Sequence, residues 1–234
     1  MPVDTEETTA GPLRAYVARP PGPGPHPGVL VLHELFGLND DIRRIARRFA
    51  GNGYVALAPD LFSHGPKAVC LSRVLMDLGR GAGGRTLDDV LAARRALADR
   101  PDVDAGRVAV AGFCMGGSFA LVVGVKGDVQ ASAVNYGAVP KARGELDGVC
   151  PVVASFGAQD RIFAKQGERL KQHLEALDVP HDYKLYEHVG HSFFNQDNGP
   201  AWMLRMPSPM SVGYSEAAAE DGWARMLGFF KQYV

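Results

Sequence analysis

The sequence is poor in the features that mark several protein classes. Its three cysteines, Cys70, Cys114 and Cys150, cannot all pair with one another, and none lies in C-x-x-C spacing. This usage is most simply that of a reduced, cytoplasmic protein. Charge of one sign is not in excess either, because 25 lysines and arginines face 26 aspartates and glutamates. The balance gives no electrostatic reason to bind nucleic acid or an anionic membrane.

Long apolar runs are also missing. No stretch approaches the roughly 18 consecutive apolar residues of a membrane span. The N-terminal segment "MPVDTEETTAGPL" has neither the basic nor the apolar region of a secretory signal. The sequence has 234 residues, of which 46% are hydrophobic and 22% charged. This length and composition predict one globular domain over residues 1–234 that needs no disulfide or other cross-link to fold.

Short apolar strands alternate with amphipathic helices along the chain. Strands are predicted at Leu13–Ala18, Gly28–Glu34, Tyr54–Phe62, Arg107–Phe113, Ala131–Gly137, Pro151–Gly157 and His181–Glu187. Helices are predicted from Asn39 or Asp40 to Phe49, from Thr86 as N-cap to Arg100, after Cys114, over Lys165–Leu177 and over Ser215–Tyr233. The alternation predicts an α/β fold with a mostly parallel central sheet and helices on both faces.

The segment between residues 65 and 85 has no regular pattern, although residues 71–78 favour a short helix over a strand. Gly79, Gly81 and Gly84 fit the spacing G-x-G-x-x-G. A dinucleotide-binding turn requires a preceding strand. We therefore interpret these glycines as a flexible loop that leads into the helix at Thr86.

The stretch "VAVAGFCMGGSFAL" is the strongest local signal. It joins a strand to a helix through a turn in which Gly112 and Gly116 flank Cys114. This is the pattern of a nucleophile elbow, which lifts the side chain above the sheet and aims N–H groups of the new helix at the same point. A buried packing cysteine at a strand end remains the alternative on this motif alone.

Two further strand ends carry side chains that suit a cysteine nucleophile. "GAQDRIF" places Asp160 after one strand, and "HVGHSFF" places His191 after the next. The order nucleophile, acid, histidine is that of α/β-hydrolases. His188 competes with His191 as the base, and Asp60 and Asp182 are rival acids.

Glu34 ends an apolar strand in "VLHELFG", where a carboxylate is costly unless it has a partner. A zinc site of the form H-E-x-x-H is excluded, since Gly37 occupies the fifth position. A helix cap or a surface carboxylate is the alternative to a functional role.

Together, "HELFGL", "PDLF", "GFCMGGSFAL", "FGAQDRIF" and "GHSFFN" resemble the dienelactone hydrolase family from about Leu13 to the last helix. The resemblance implies an α/β-hydrolase fold with Cys114, His191 and Asp160 as its catalytic triad. It also implies that Glu34 holds the resting thiol protonated and accepts its proton when substrate binds. The N–H groups of Leu35 and Met115 would form the oxyanion hole, and no metal or organic cofactor is implied.

The expected activity is cysteine-dependent hydrolysis of a small lactone or carboxylic ester through an acyl-enzyme, by a monomer or homodimer. A thioesterase or aryl esterase is the nearest alternative, and a non-catalytic ligand-binding or oxidant-responsive protein is the more distant one. Phe36, Arg73 and Trp202 are candidates to bind substrate. The family's substrate-binding arginine after the histidine has no counterpart in "SFFNQDNGPAW", where none occurs before Arg205.

Overall fold

A computed structural model describes residues 3–81, 83–199, 204 and 208–234. Eight strands form one sheet in the order β1-β2-β4-β3-β5-β6-β7-β8. Strand β2 is antiparallel to β1 and to β4, and every other neighbouring pair is parallel. The strands are β1 (Asp4–Ala10), β2 (Leu13–Arg19), β3 (His26–Leu32), β4 (Val55–Pro59), β5 (Val103–Phe113), β6 (Ala131–Asn135), β7 (Val152–Gly157) and β8 (His181–Tyr186).

Helices cover both faces of this sheet, which confirms the predicted fold class. They are α1 (Asp40–Gly51), α2 (Lys67–Gly79), α3 (Gly84–Ala98), α4 (Met115–Lys126), α5 (Ala164–Ala176) and α6 (Glu216–Tyr233). Alternate residues of β3 enter two separate buried clusters, because successive side chains of a strand point to opposite faces. One cluster contains the apolar faces of α1 and α6, and the other contains those of α2, α3 and α4. No helix in the described ranges is long and apolar enough to cross a membrane.

Two local features differ from the prediction. The hairpin strand β1 is absent from the predicted set, since its residues are polar and mostly exposed and carry no apolar alternation. Thr86 is not the N-cap of α3, which is Gly83. Thr86 lies within the first turn, where its N–H and its hydroxyl both donate to the carboxylate of Asp77, at 3.0 and 2.5 Å. A side chain from α2 therefore caps this helix.

The glycine-rich segment follows a helix rather than a strand, since Gly79 ends α2 and Gly84 begins α3. The prediction of one loop from residue 79 to residue 85 is therefore too long at both ends. A dinucleotide-binding turn is not formed here, because that turn requires a strand directly before the glycines.

The carboxyl ends of the parallel strands lie at one edge of the sheet, as the crossover connections require. Glu34 follows β3, Cys114 follows β5, Asp160 follows β7 and His191 follows β8. The topology thus brings these four side chains, distant in sequence, to the same edge.

Candidate active site

Cys114 occupies a sharp turn between β5 and α4. Its backbone has φ 53° and ψ −116°, a region that residues other than glycine rarely adopt. A Cβ atom on Gly112 would lie 2.0 Å from the carbonyl oxygen of Gly116, and one on Gly116 would lie 2.1 Å from that of Leu32. Both glycines are therefore required by close backbone contacts, as the elbow interpretation expects.

His191 and Asp160 form a buried pair. The imidazole Nδ1 lies 2.6 Å from Oδ2 of Asp160. The other carboxylate oxygen accepts hydrogen bonds from the N–H groups of Ile162 and Phe163, both at 3.0 Å. Because those two bonds fix the carboxylate, the imidazole is held with Nδ1–H toward the acid and Nε2 free to act as a base. Nε2 is buried without a partner among the described residues.

The ring of His191 is also held by packing. The rings of Tyr136 and Phe163 each lie 4.9 Å from it, centroid to centroid. The backbone N–H of His191 donates to the carbonyl of Met210 at 2.8 Å. Position and orientation of the imidazole are therefore fixed before any substrate binds, which favours rapid proton transfer.

Glu34 is 2% exposed. Its Oε2 accepts a hydrogen bond of 3.2 Å from the hydroxyl of Ser192, while Oε1 has no partner within the described part of the chain. Burial, together with the negative charges of Asp41 and Asp197, raises the pKa of the Glu34 carboxyl to about 8, against the lowering effect of the Ser192 bond. Glu34 thus titrates close to neutral pH, where both its protonated and its ionised form are populated.

The thiol of Cys114 is held in its neutral form. Burial, followed by the charges of Glu34 and Asp160, raises its pKa to about 12, although the nearby N–H of Met115 acts in the opposite direction. The donor to the Glu34 carboxylate is Ser192 rather than the thiol. The resting thiol is therefore kept neutral by burial and nearby carboxylates rather than by a direct bond to Glu34.

The turn after β3 carries the first of the two expected oxyanion donors. Leu35 is partly exposed at this turn, and the N–H of Gly37 closes it by donating to the carbonyl of Glu34 at 3.2 Å. Met115 begins α4, so its N–H belongs to the first helical turn and has no partner within the helix. These two N–H groups belong to segments in contact, because Gly116 packs directly on the backbone of Leu32.

Of the three residues expected to bind substrate, Phe36 and Arg73 lie in the described part of the chain. Phe36 borders a separate open cleft of about 240 Å³, where its carbonyl accepts a bond from the ammonium of Lys67 at 2.7 Å. Arg73 is half-buried on α2, and the described residues provide no ion pair for it. Trp202 is outside the described residues. Of the rival acids and bases, Asp60 pairs with Arg14, Asp182 starts β8 and His188 is exposed.

Several residues at the site were not singled out from sequence. They are His33, Tyr136 and Ser192. Ser192 directly follows the histidine in sequence, but its φ of 60° and its bond to Glu34 depend on the tertiary fold. His33 precedes Glu34 and was considered only as a zinc ligand. In the described ranges, no group of three or more histidine, cysteine or acidic side chains is placed to hold a metal ion.

A model of the dienelactone hydrolase family matches residues 13–234. The chain belongs to the dienelactone hydrolase family. This confirms the resemblance seen in the motifs and makes the protein a hydrolase-family member. The carboxymethylenebutenolidase of Rhodococcus opacus is 31% identical to it over an alignment that covers 88% of this chain and 81% of that protein.

Solved structures of this family share the fold. A dienelactone hydrolase-like promiscuous phosphotriesterase from metagenomic libraries has a TM-score of 0.82 and 26% identity, covering 99% of this chain and 98% of that one. The dienelactone hydrolase of Anabaena variabilis has a TM-score of 0.74 at 19% identity, with 99% of each chain covered. The second likeness supports the fold alone.

Proposed function

We propose that this dienelactone hydrolase family member hydrolyses a small lactone or carboxylic ester, with Cys114 as the nucleophile. The observation that carries the proposal is the placement of a thiol at a positive-φ elbow on the same sheet edge as a buried Asp160–His191 pair. That arrangement suits acyl transfer, which requires a nucleophile, an oriented base and N–H donors for an oxyanion.

The proposed reaction has two halves. In its ionised form, Glu34 accepts the thiol proton as the sulfur bonds to the substrate carbonyl carbon, and the oxyanion binds the N–H groups of Leu35 and Met115. Collapse breaks the carbon–oxygen bond, and the leaving oxygen takes up that proton. His191 then removes a proton from water, whose oxygen attacks the thioester. The carbon–sulfur bond breaks, and the sulfur regains a proton from His191.

Incubation with an activated ester such as 4-nitrophenyl acetate tests this function. We expect a burst of 4-nitrophenol of up to one equivalent, and a mass increase of one acetyl group that maps to Cys114. Substrate class follows from steady-state rates on a panel of lactones, aryl esters and thioesters. Steady release without any covalent adduct on Cys114, or an adduct elsewhere, would contradict the proposed mechanism.

Phosphotriesters form a second substrate class to test. One structural neighbour is described as a promiscuous phosphotriesterase, and the same nucleophile and oxyanion donors could serve attack at phosphorus. A dialkyl aryl phosphate in the panel distinguishes the two classes. The oxidant-responsive alternative receives less support, since thiols that sense oxidants have low pKa values and burial raises that of Cys114.

Replacing Glu34 by glutamine should raise stability at alkaline pH while lowering turnover. The carboxyl pKa is about 8 in the fold against an ordinary 4.5. The folded state therefore binds more protons between these values, and the free energy of unfolding falls as pH rises through that window. Glutamine removes this dependence and can still accept the bond from Ser192. At pH 9 we expect a melting temperature roughly 2–6 °C above wild type.

Turnover should fall at least about 10-fold in the same variant, since the acceptor of the thiol proton is gone. Melting temperatures at pH 5 and pH 9, measured beside ester hydrolysis, check both effects. Ser192→Ala is a matched control, because it removes the hydrogen bond from Ser192 to the Glu34 carboxylate and leaves the carboxylate in place. Identical pH dependence of melting in wild type and Glu34→Gln would show that Glu34 does not ionise as expected.

A further inference from the structure

His33 is completely buried at the end of β3, directly before Glu34. Its Nδ1 lies 2.6 Å from the carbonyl oxygen of Glu34, and its Nε2 lies 3.0 Å from the backbone nitrogen of Leu61. A carbonyl can only accept and a backbone N–H can only donate. The ring is therefore neutral, with its proton on Nδ1, and it bridges the turn after β3 to the segment after β4.

The carbonyl of Glu34 and the N–H of Leu35 belong to one peptide unit. Because that unit is planar and trans, the two groups point in opposite directions, and fixing one fixes the other. The carbonyl points toward His33, which reaches to Leu61 beyond β4. Strands β4 and β5 flank β3 on opposite sides. The Leu35 N–H consequently points away from β4 and toward the β5 side, where Cys114 lies.

We propose that His33 is a positioning residue that aims the Leu35 N–H at the substrate oxyanion, a role that rests on the proposed function. Its own ring does not touch the substrate. The bond from His33 to the Glu34 carbonyl, the shorter of the two that this carbonyl accepts, sets the direction of the donor together with the bond from the Gly37 N–H. The bond from Leu61 sets the direction of the ring. A donor fixed in advance stabilises a developing oxyanion more than one that must reorient during the reaction.

The surroundings of His33 keep it in the required neutral form. Burial lowers the pKa of the ring, and the charge of Lys67 acts in the same direction, against the Glu34 carbonyl bond and the charge of Asp60. Protonation would also place two donors, Nε2–H and the Leu61 N–H, face to face. The ring of Phe62 packs on it with 5.0 Å between centroids, which limits rotation.

A purely structural histidine would have a different signature. Its loss would lower stability and disturb the site as a whole, so acylation and every other reaction of Cys114 would weaken together. Loss of oxyanion alignment should slow acylation by an ester but not alkylation by iodoacetamide. Acylation passes through an oxyanion, whereas alkylation of a thiol does not.

The experiment compares His33→Phe with His33→Gln in 4-nitrophenyl acetate acylation and in iodoacetamide alkylation of Cys114. Phenylalanine keeps the ring and loses both hydrogen bonds, while the glutamine amide carries one donor group and one acceptor. We expect the acylation rate constant of His33→Phe to fall roughly 10- to 100-fold. This loss is smaller than that caused by removing an oxyanion donor altogether, because the misaligned N–H remains present. The half-saturating ester concentration and the alkylation rate should stay within about twofold of wild type, and glutamine should restore most of the acylation rate.

Phe62→Leu is the control, since it removes the ring packing without touching either hydrogen bond. Should His33→Phe fail to fold, His33→Ala replaces it, because the space it leaves admits water to both backbone groups. Unchanged acylation in the variant, or acylation and alkylation that fall in parallel, would overturn the role of His33. Failure of the wild-type protein to acylate with any activated ester would instead overturn the proposed function itself.

Discussion

Replacing His191 by alanine is expected to lower kcat for an activated ester by roughly 10⁴- to 10⁶-fold, the range that loss of a triad member costs. The imidazole Nε2 is buried and unpartnered among the described residues, while Nδ1 is bound to Asp160 at 2.6 Å. His33 lies at the same edge of the sheet, but both of its ring nitrogens are hydrogen-bonded, so it is not free to take over. Steady-state kinetics with 4-nitrophenyl acetate measure the loss.

His188→Ala is the matched control. This histidine lies three residues earlier on the same loop but is exposed, so its removal should leave kcat within about twofold of wild type. Comparable losses in the two variants would mean that the loop, not the imidazole of His191, is what the reaction needs.

Asp160→Asn should also be severe, because an asparagine amide can donate to Nδ1 and so favour the wrong tautomer. The double variant His191→Ala/Asp160→Asn should be little worse than His191→Ala alone, since groups that act as a unit do not contribute additively. Multiplicative losses would show that Asp160 acts through something other than the histidine.

The sequence was most informative where local backbone geometry and chain order decide the outcome. The glycines around Cys114 predicted a turn that only glycine permits, and the structure places backbone atoms within 2.1 Å of the Cβ positions that other residues would occupy. The order of Cys114, Asp160 and His191 at successive strand ends predicted that they would share one edge of the sheet. The first inference depends on local backbone contacts, and the second depends on the regular right-handed crossovers of parallel sheets.

Features that depend on contacts between distant segments could not be predicted. The cap of α3 is a carboxylate from the preceding helix, Asp77, and it replaces the local Thr86 cap that the sequence favours. Likewise, the partner of Glu34 is Ser192, and the bridge from His33 to Leu61 links two strands. Hydrogen bonds of this kind satisfy buried polar groups, and their partners are chosen by the tertiary fold.

Cys114→Ala should abolish acyl-enzyme formation and lower ester turnover at least about 10⁴-fold, since general-base catalysis of direct water attack cannot replace a nucleophile in this geometry. The fold should persist, because the substitution removes a single sulfur atom and leaves the backbone of the elbow unchanged. The backbone at residue 114 has φ 53°, and alanine is no more strained in that conformation than cysteine is. Circular dichroism and thermal melting establish that the variant is folded before its activity is compared.

Cys150→Ala is a control for the loss of a buried thiol that lies away from the elbow. Burial raises the pKa of Cys150 to about 12, the same value as for Cys114, so the two thiols are equally poor thiolates at rest. Only Cys114 stands at the elbow on the sheet edge that carries Glu34 and His191, where a bound substrate can trigger loss of its proton. Cys150→Ala should therefore retain wild-type burst amplitude and turnover. Loss of the burst in this variant, or its survival in Cys114→Ala, would show that the nucleophile lies elsewhere.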